Sequence, residues 1–345
     1  MFLEKHLFTA WAPSVFPQFF IDEGKCTGCG RCVQSCPMQL LELAEKIPKS
    51  NDRYDCFRCI ACQNCKAVCP TNAITIKGEY RVLKGYWKNN DYPSGKTYPQ
   101  PLERADGQNF ENFENKLTET ERVIYKRRSV RLYSKKQVPS ELIKRVIEAG
   151  RFAPSAGNCQ PWKFIVIQNR KIIDEINHLC KKTIKLAPYL GFPHAWLVKK
   201  TPGEKDARLS CWQKLLLPIL VHLMPNSLDP RVRGGVNTVT SDLEYDIFMG
   251  AQTLVILLGD KRGIGEVNLD VGLCAQNMVL AAHSLGLATC YIGLITGLNF
   301  YPSSYRRNYG ITNPYKIVTS LVLGYPRGEI DNIVAREQPR IHWIT

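Results

Sequence analysis

Apolar positions follow two different rhythms on either side of a polar gap. Before residue 79 they come in short bursts. Phe19-Phe20-Ile21 and Ala73-Ile74-Thr75-Ile76 read as two brief strands around a cysteine-rich stretch, and residues 1–18, rich in aromatics and Pro, are expected to pack on them. From 79 to 120 the chain turns to Asn, Glu, Tyr, Pro and Gly without aliphatic periodicity, which reads as a long linker lying over the surface. Beyond it, helical and strand patterns alternate. Residues 121–128 predict a short helix, and Ser140 a cap before an amphipathic helix with Leu142, Ile143, Val146 and Ile147 on one face. Residues 163–168 and 252–259 read as buried strands, 171–182 as a helix between them, and 289–293 and 317–324 as further strands. Residues 270–285 are apolar nearly all round and end at Gly286, the expected C-cap. Such a helix is buried, often between subunits. Strands alternating with helices predict an α/β layered domain.

One stretch resists this reading. Between Thr183 and Tyr245 lies L-S-C-W-Q-K-L-L-L-P-I-L-V-H-L-M (209–224), an apolar segment interrupted by Pro218 with Lys199, Lys200, Lys205 and Arg208 nearby. A buried helical insertion is the first expectation for it. A lid, a helix at a dimer interface and a membrane-surface helix are the others. No apolar run reaches the length a membrane-spanning helix needs.

The cysteines bring in the chemistry. C-T-G-C-G-R-C-V-Q-S-C-P places Cys26, Cys29, Cys32 and Cys36 before Pro37. C-I-A-C-Q-N-C-K-A-V-C-P repeats the pattern with Cys59, Cys62, Cys65 and Cys69 before Pro70. This C-x2-C-x2-C-x3-C-P run holds a [4Fe–4S] cluster with its first three thiolates and sends the fourth to the other cluster. The expected ligand sets are therefore Cys26, Cys29, Cys32 and Cys69 for one cluster, and Cys59, Cys62, Cys65 and Cys36 for the second. Zinc takes pairs of ligands with no evenly spaced third Cys, and disulfides belong to oxidising compartments. Cys56 offers a shifted register that fails, because Lys66 stands where its fourth Cys would be, so Cys56 reads as a buried bystander.

Length and composition narrow the picture. The chain has 345 residues, enough for two domains, and 14 cysteines without a recognisable secretory leader, which points to a reducing cytoplasm. The formal charge of +15 falls to about +9 once two anionic clusters and a phosphorylated cofactor are counted. That balance favours acidic redox partners or anionic substrates. The Lys and Arg are dispersed and no nucleic-acid recognition motif accompanies them, so nucleic acid is not an expected partner.

Residues 19–78 resemble a bacterial two-cluster ferredoxin. In residues 121–343 four pieces stand in order: R-R-S-V-R at Arg127, A-P-S-A-G-N-C-Q-P-W at Ala153, D-V-G-L-C-A-Q-N-M-V-L-A-A-H-S-L-G-L-A-T-C-Y-I-G at Asp270, and V-L-G-Y-P at Val322. Together they resemble the nitroreductase family of FMN enzymes, apart from 183–245, which is long for the family. No G-x-G-x-x-G follows a strand, so no Rossmann site is written in the chain. The resemblance implies an α+β chain: a ferredoxin-like domain (1–78), a linker (79–120), and an α/β FMN domain (121–345) with a mixed central sheet flanked by helices and an insertion or lid at 183–245. It also implies a homodimer with FMN at the subunit interface. Arg127, Arg128 and Ser129 are then expected at the phosphate and ribityl chain, and Arg131 near the flavin N1 and O2. Pro154, Ser155, Ala156 and Asn158 are expected against the ring from the partner, and the backbone of Gly293 at the N5 and O4 edge. Arg336, with Arg340 as its rival, is expected to close on the phosphate.

The implied activity is an iron–sulfur flavoprotein oxidoreductase. Electrons pass from two low-potential clusters to FMN and on to a nitroaromatic, a quinone or an activated double bond. A ferredoxin or similar low-potential protein is the natural donor, and an anaerobic setting suits such clusters. A relay to another protein, a dehydrogenase running in reverse and a membrane-surface quinone reductase are the alternatives. No catalytic residue is written in the sequence. Cys159 reads as an inert small hydrophobe, Cys180, Cys211, Cys274 and Cys290 as core, and the six His show no metal spacing.

Overall fold

A computed structural model describes residues 14–51, 59–78, 81–82, 96–97, 99, 113–184, 211–212, 215–216, 219, 223, 230–242, 244–328 and 333–345. Cys56, residues 1–13, most of the linker and most of 185–229 lie outside these, and the expectations for them with them. The chain divides into two compact units. One joins Met1–Asn115 to Leu186–Asp242 and Ile330–Thr345, and the other joins Lys116–Lys185 to Leu243–Glu329.

In the first unit, β1 (Ser14–Val15) pairs antiparallel with β6 (Arg81–Val82). β2 (Gln18–Ile21) pairs with β5 (Ile74–Lys77), so the two short apolar bursts close the cysteine-rich stretch at its ends. Between them lie α1 (Arg31–Ser35), the hairpin of β3 (Leu41–Ala44) and β4 (Ile47–Ser50), and α2 (Asn64–Ala67). Glu45 and Lys46 turn the hairpin with φ of 51° and 66°, the mirror-image turn that matches strand twist. Cys32, Leu41, Cys69, Ala73 and Ile74 form a small core. β7 (Lys96–Thr97) pairs with β12 (Arg336–Glu337). α6 (Pro230–Ser241) comes from the segment expected as an insertion or lid and packs on the loop after Cys36. There Thr238 Oγ1 donates to Met38 Sδ at 3.8 Å and Gln39 Nε2 donates to Asp242 Oδ2 at 3.1 Å.

The second unit is built on a sheet ordered β10-β11-β9-β8: β10 (Ala288–Tyr291), β11 (Tyr315–Gly324), β9 (Thr253–Asp260) and β8 (Trp162–Ile167). The four strands are antiparallel. A parallel bridge between Ser129 and Thr289 extends the edge at β10 and makes the sheet mixed. β9 alternates its faces. Val255 and Leu257 join a core with α4 (Ser140–Arg151) and α7 (Val267–Ser284), while Leu254, Ile256 and Leu258 turn to the opposite face. α5 (Arg170–Ile184) buries Ile173, Ile176 and Cys180. α4 and α7 approach closely because Gly150 carries no side chain. A Cβ there would lie 2.6 Å from Met278 Cγ and 3.0 Å from Cys274 Sγ.

Three local expectations are corrected. Ser140 is not the cap: Pro139 holds that place with extended backbone, and the Ser140 hydroxyl donates to Glu141 Oε1 at 2.8 Å. The strand expected buried at 163–168 is β8 (Trp162–Ile167), an edge strand that leaves Val166 exposed, since an apolar run alone does not tell an edge from a centre. The long helix starts before Asp270, capped by Glu266, whose carboxylate accepts from Asn268 N. It ends as expected. Gly286 takes φ 72°, and Leu287 N donates to Ala282 O at 2.8 Å, the left-handed termination that favours Gly. α3 (Glu119–Lys126) opens with a reciprocal pair in which Glu121 N donates to Thr118 Oγ1 and Thr118 N to Glu121 Oε2.

Candidate functional site

The two cysteine loops have one backbone. Gly28, Gly30 and Gln39 take φ of 70°, 69° and 51°, and Ala61, Gln63 and Asn72, each 33 residues on, take 56°, 56° and 51°. The cysteines repeat at the same interval, so sequence repeat and conformational repeat coincide. Left-handed turns of this kind aim successive N–H groups and side chains inward. Gly28 N donates to Cys26 Sγ at 3.4 Å and Ala73 N to Cys69 Sγ at 3.3 Å, the contacts that stabilise an anionic sulfur.

The eight thiols sort into two sets. Cys26, Cys29, Cys32 and Cys69 line one cavity. Burial pushes the Cys32 thiol up to about 11, with Cys29 and Cys69 adding to the rise. Burial likewise raises Cys65, and the charges that add to it are those of Cys62, Cys59 and Cys36. Cys36 is raised by burial and by Cys62. The neighbours named for Cys32 fall in one set of four, and those named for Cys36 and Cys65 in the other. No three Cys, His, Asp or Glu side chains among the described residues close on a single ion. Four soft donors around a cavity fit a cluster better than a mononuclear metal.

In the second unit, Arg127–Arg131 leaves the end of α3 and runs beside β10. Val130 N donates to Thr289 O at 2.9 Å, and the bridge from Ser129 to Thr289 fixes the register. Arg127 Nε and the Tyr133 hydroxyl are buried with no hydrogen-bond partner among the described residues. A buried cation edge without an acceptor is costly unless an anion joins it. Arg128 is also buried, and Arg131 Nη1 donates to Ser129 O at 3.4 Å.

The surroundings are set by these cations. Burial pushes the Tyr291 phenol up to about 12, with Arg127 acting against it. Burial holds His283 below its usual range, with Arg127 and Lys126 pressing the same way. Burial raises the Cys290 thiol against Arg131 and the Ser129 hydroxyl. Tyr133 is raised well above the phenol range by burial first and Cys290 second, with Arg131 opposing. Gly293 follows at the start of a 3-10 turn, where a Cβ would meet no atom within 4 Å. Arg127, Ser129 and Arg131 thus lie beside β10 and the last turn of α7, and Gly293 follows β10 by two residues. A buried guanidinium edge without an acceptor fits the phosphate-bearing flavin that the sequence implies.

The loop with Pro154, Ser155, Ala156 and Asn158 lies elsewhere. Ala156 N donates to Asp270 Oδ2 at 3.4 Å, at the first turn of α7, and a Cβ on Gly265 would lie 2.5 Å from the Ala156 Cβ. Gln160 N donates to Ser155 Oγ at 3.0 Å, and Gln160 Nε2 to Asn158 Oδ1 at 3.2 Å. Asp270 and His283 are thirteen residues apart on α7, so the loop and the arginine edge sit about 20 Å apart along one helix. Around the loop, Phe152, Ile264, Leu269 and Leu273 are exposed. Arg336 and Arg340 belong to the first unit, Arg336 on β12.

Sequence reasoning missed Tyr133, His283, Tyr291 and Asp270 as site neighbours. Only Asp270 left a signal, a charged residue on an otherwise apolar helix.

Residues 124–325 match the model of the Nitroreductase family. The chain belongs to that family. Residues 25–73 match the 4Fe-4S dicluster domain. A NADH dehydrogenase of Thermus thermophilus is 48% identical over 205 residues, covering 59% of this chain and 85% of that protein. A 4-nitrobenzoate reductase of Nocardioides sp. is 27% identical over 209 residues, 59% of this chain and 78% of its own length. An uncharacterized ferredoxin of Methanocaldococcus jannaschii is 40% identical over 60 residues, 17% of this chain and 78% of its own. Among solved structures, a nitroreductase with bound FMN from Bacteroides fragilis covers 66% of this chain and all of its own, at 23% identity and a TM-score of 0.47. Family membership and the dicluster domain together make the chain an oxidoreductase with a fused ferredoxin module.

Proposed function

We propose that the chain is an iron–sulfur flavoprotein that carries electrons between a low-potential donor and a small organic acceptor. The two clusters would exchange electrons singly, and FMN would collect two and deliver them to a nitroaromatic, a quinone or an activated double bond. The observation that carries the reading is the coexistence, in one nitroreductase-family chain, of cysteines gathered in two sets and a buried Arg127 Nε with no acceptor among the described residues.

Each residue has a task in this reading. Cys26, Cys29, Cys32 and Cys69 hold one cluster, and Cys36, Cys59, Cys62 and Cys65 the other. Gly28 N and Ala73 N stabilise the first set of sulfurs. Arg127 and Arg128 pair with the phosphate, a charge-assisted contact that suits a guanidinium, and Ser129 supports the ribityl chain. Arg131 holds negative charge at one edge of the ring, and Gly293 lets the backbone approach the other. Pro154, Ser155, Ala156 and Asn158 cover the ring from a second copy. The separation of loop and arginine edge along α7 supports this dimer, as do the exposed Leu269 and Leu273.

The test is an anaerobic absorbance titration of purified protein with known iron and FMN content, using NADH, NADPH and reduced ferredoxin separately. Bleaching of clusters and flavin by reduced ferredoxin supports the reading with the fused module as entry. Bleaching of flavin first by a pyridine nucleotide makes the clusters an exit. Absence of iron or FMN from correctly folded protein overturns the reading.

A further inference from the structure

The two cysteine loops share a backbone, but their side chains differ at three equivalent places of the repeat. Thr27, Arg31 and Thr71 line the cavity of Cys26, Cys29, Cys32 and Cys69. Ile60, Asn64 and Met38 hold the matching places beside the other four cysteines. Thr71 Oγ1 stands 3.8 Å from Cys69 Sγ. A ligating thiolate has no proton, so the hydroxyl is then the donor. Met38 offers only a thioether, which cannot donate. It is buried, and it accepts from the equally buried Thr238 Oγ1 of α6 at 3.8 Å. Asn64 is buried with its amide turned to the backbone, Nδ2 donating to Ser35 O at 2.6 Å, whereas Arg31 is half-buried and cationic. Cys29 is exposed, and no thiol of the second set is.

We propose, on the cluster reading above, that the two cluster sites are unequal. The set of Cys26, Cys29, Cys32 and Cys69 holds the cluster of higher reduction potential, and the Thr71 hydroxyl is one of the groups that raise it. One-electron reduction adds a negative charge that is shared with the ligating sulfurs. Hydrogen bonds to those sulfurs and access to solvent favour the reduced form, and so does a nearby cation. The first set has all three, in Thr71, the exposed Cys29 and Arg31. The second set has Ile60 and Met38 in place of the two threonines, and α6 lies over Met38. An apolar shell that keeps water out works against added charge. The backbone does not make this difference. Gly28 N and Ala73 N reach sulfur in the first set, and the backbone of Leu40, Met38 and Gln39 reaches Cys36 in the second. A chain with a single electron on its clusters therefore keeps it at the open site.

The test is an anaerobic redox titration of the intact protein, read by electron paramagnetic resonance of the reduced clusters, with iron content measured in each sample. Two separate midpoints are expected for the wild type. Thr71→Val keeps the shape of the side chain and removes the hydroxyl. It is expected to lower only the higher midpoint, so that the reduced-to-oxidised ratio at the wild-type midpoint falls about threefold to tenfold. Thr71→Ser keeps a hydroxyl and is expected to hold the wild-type value. Arg31→Gln is expected to lower the same midpoint, and it carries the comparison if Thr71→Val loses iron. One midpoint shared by both clusters overturns the proposal. So does a Thr71→Val shift confined to the lower midpoint, and so do equal midpoints for Thr71→Val and Thr71→Ser. Correctly folded protein with iron for fewer than two clusters removes the cluster reading itself, and the proposal with it.

Discussion

Gly28 and Ala61 occupy equivalent places 33 residues apart and share a left-handed backbone, with φ of 70° and 56°. Their surroundings differ. A Cβ on Gly28 would lie 2.9 Å from both the Cβ and the carbonyl oxygen of Lys46 at the β3–β4 turn. Gly28→Ala is expected to cost about 1–3 kcal/mol, from left-handed strain plus displacement of the hairpin. Ala61→Gly removes strain but gains unfolded-state entropy, so its stability stays within about 1 kcal/mol of wild type. Denaturant unfolding of the two variants, with iron content measured alongside, checks the contrast. Equal losses would show that the hairpin does not confine the first loop.

Arg127 has a buried Nε without an acceptor among the described residues. Removing an unsatisfied donor relieves the flavin-free protein, while the loaded protein loses a charge-assisted hydrogen bond of about 1.5–3 kcal/mol. Arg127→Ala is therefore expected to weaken FMN affinity roughly tenfold to a hundredfold and to leave the thermal midpoint of the flavin-free protein unchanged or raised. Fluorescence titration and thermal melts of the two forms measure both quantities. Loss of stability in the flavin-free form would make Arg127 a structural residue.

How far the sequence reached follows from the kind of information each feature needs. The cysteine quartets were legible because ligand spacing is local and the repeat is strict. The arginine edge was legible as a motif, but its neighbours were not. Tyr133, Tyr291 and His283 meet Arg127 and Arg131 only after β10, α7 and the segment after α3 have packed. The misassigned Ser140 cap and the edge position of β8 share a cause: local patterns state that an element exists, while tertiary context decides where it ends and what covers it. The insertion between 183 and 245 was the least legible, since its apolar residues fit several environments equally well.

Cys180 and Cys274 are fully buried, and burial pushes both thiols up from 9.0 to about 12. Between these values the unfolded chain has lost protons that the folded chain keeps. Stability therefore falls as pH rises from about 9 toward 12, and the contribution is intact below about 9. Native alkylation at mildly alkaline pH is expected to spare both residues and to modify Cys211, which is exposed and not in the core as its apolar neighbours suggest. Peptide mapping after labelling checks this. Modification of Cys274 without unfolding would show that the α4–α7 contact opens locally.

The distance along α7 between Asp270 and His283 makes the dimer testable without a structure of it. If the arginine edge of one chain meets the 154–158 loop of another, damage to the two halves is complementary. Arg127→Ala with Arg131→Ala disables one half, and Ser155→Ala with Asn158→Ala the other. Each variant alone is expected to purify with little FMN. After the two are unfolded, mixed in equal amounts and refolded, random pairing gives half heterodimers. Each heterodimer has one intact site and one doubly damaged site, so flavin content should return to about a quarter of wild type. A site built within one chain would give no recovery, because every chain would still carry one damaged half. Recovery to about a quarter therefore assigns the loop to the partner, and its absence returns the loop and the arginine edge to separate roles.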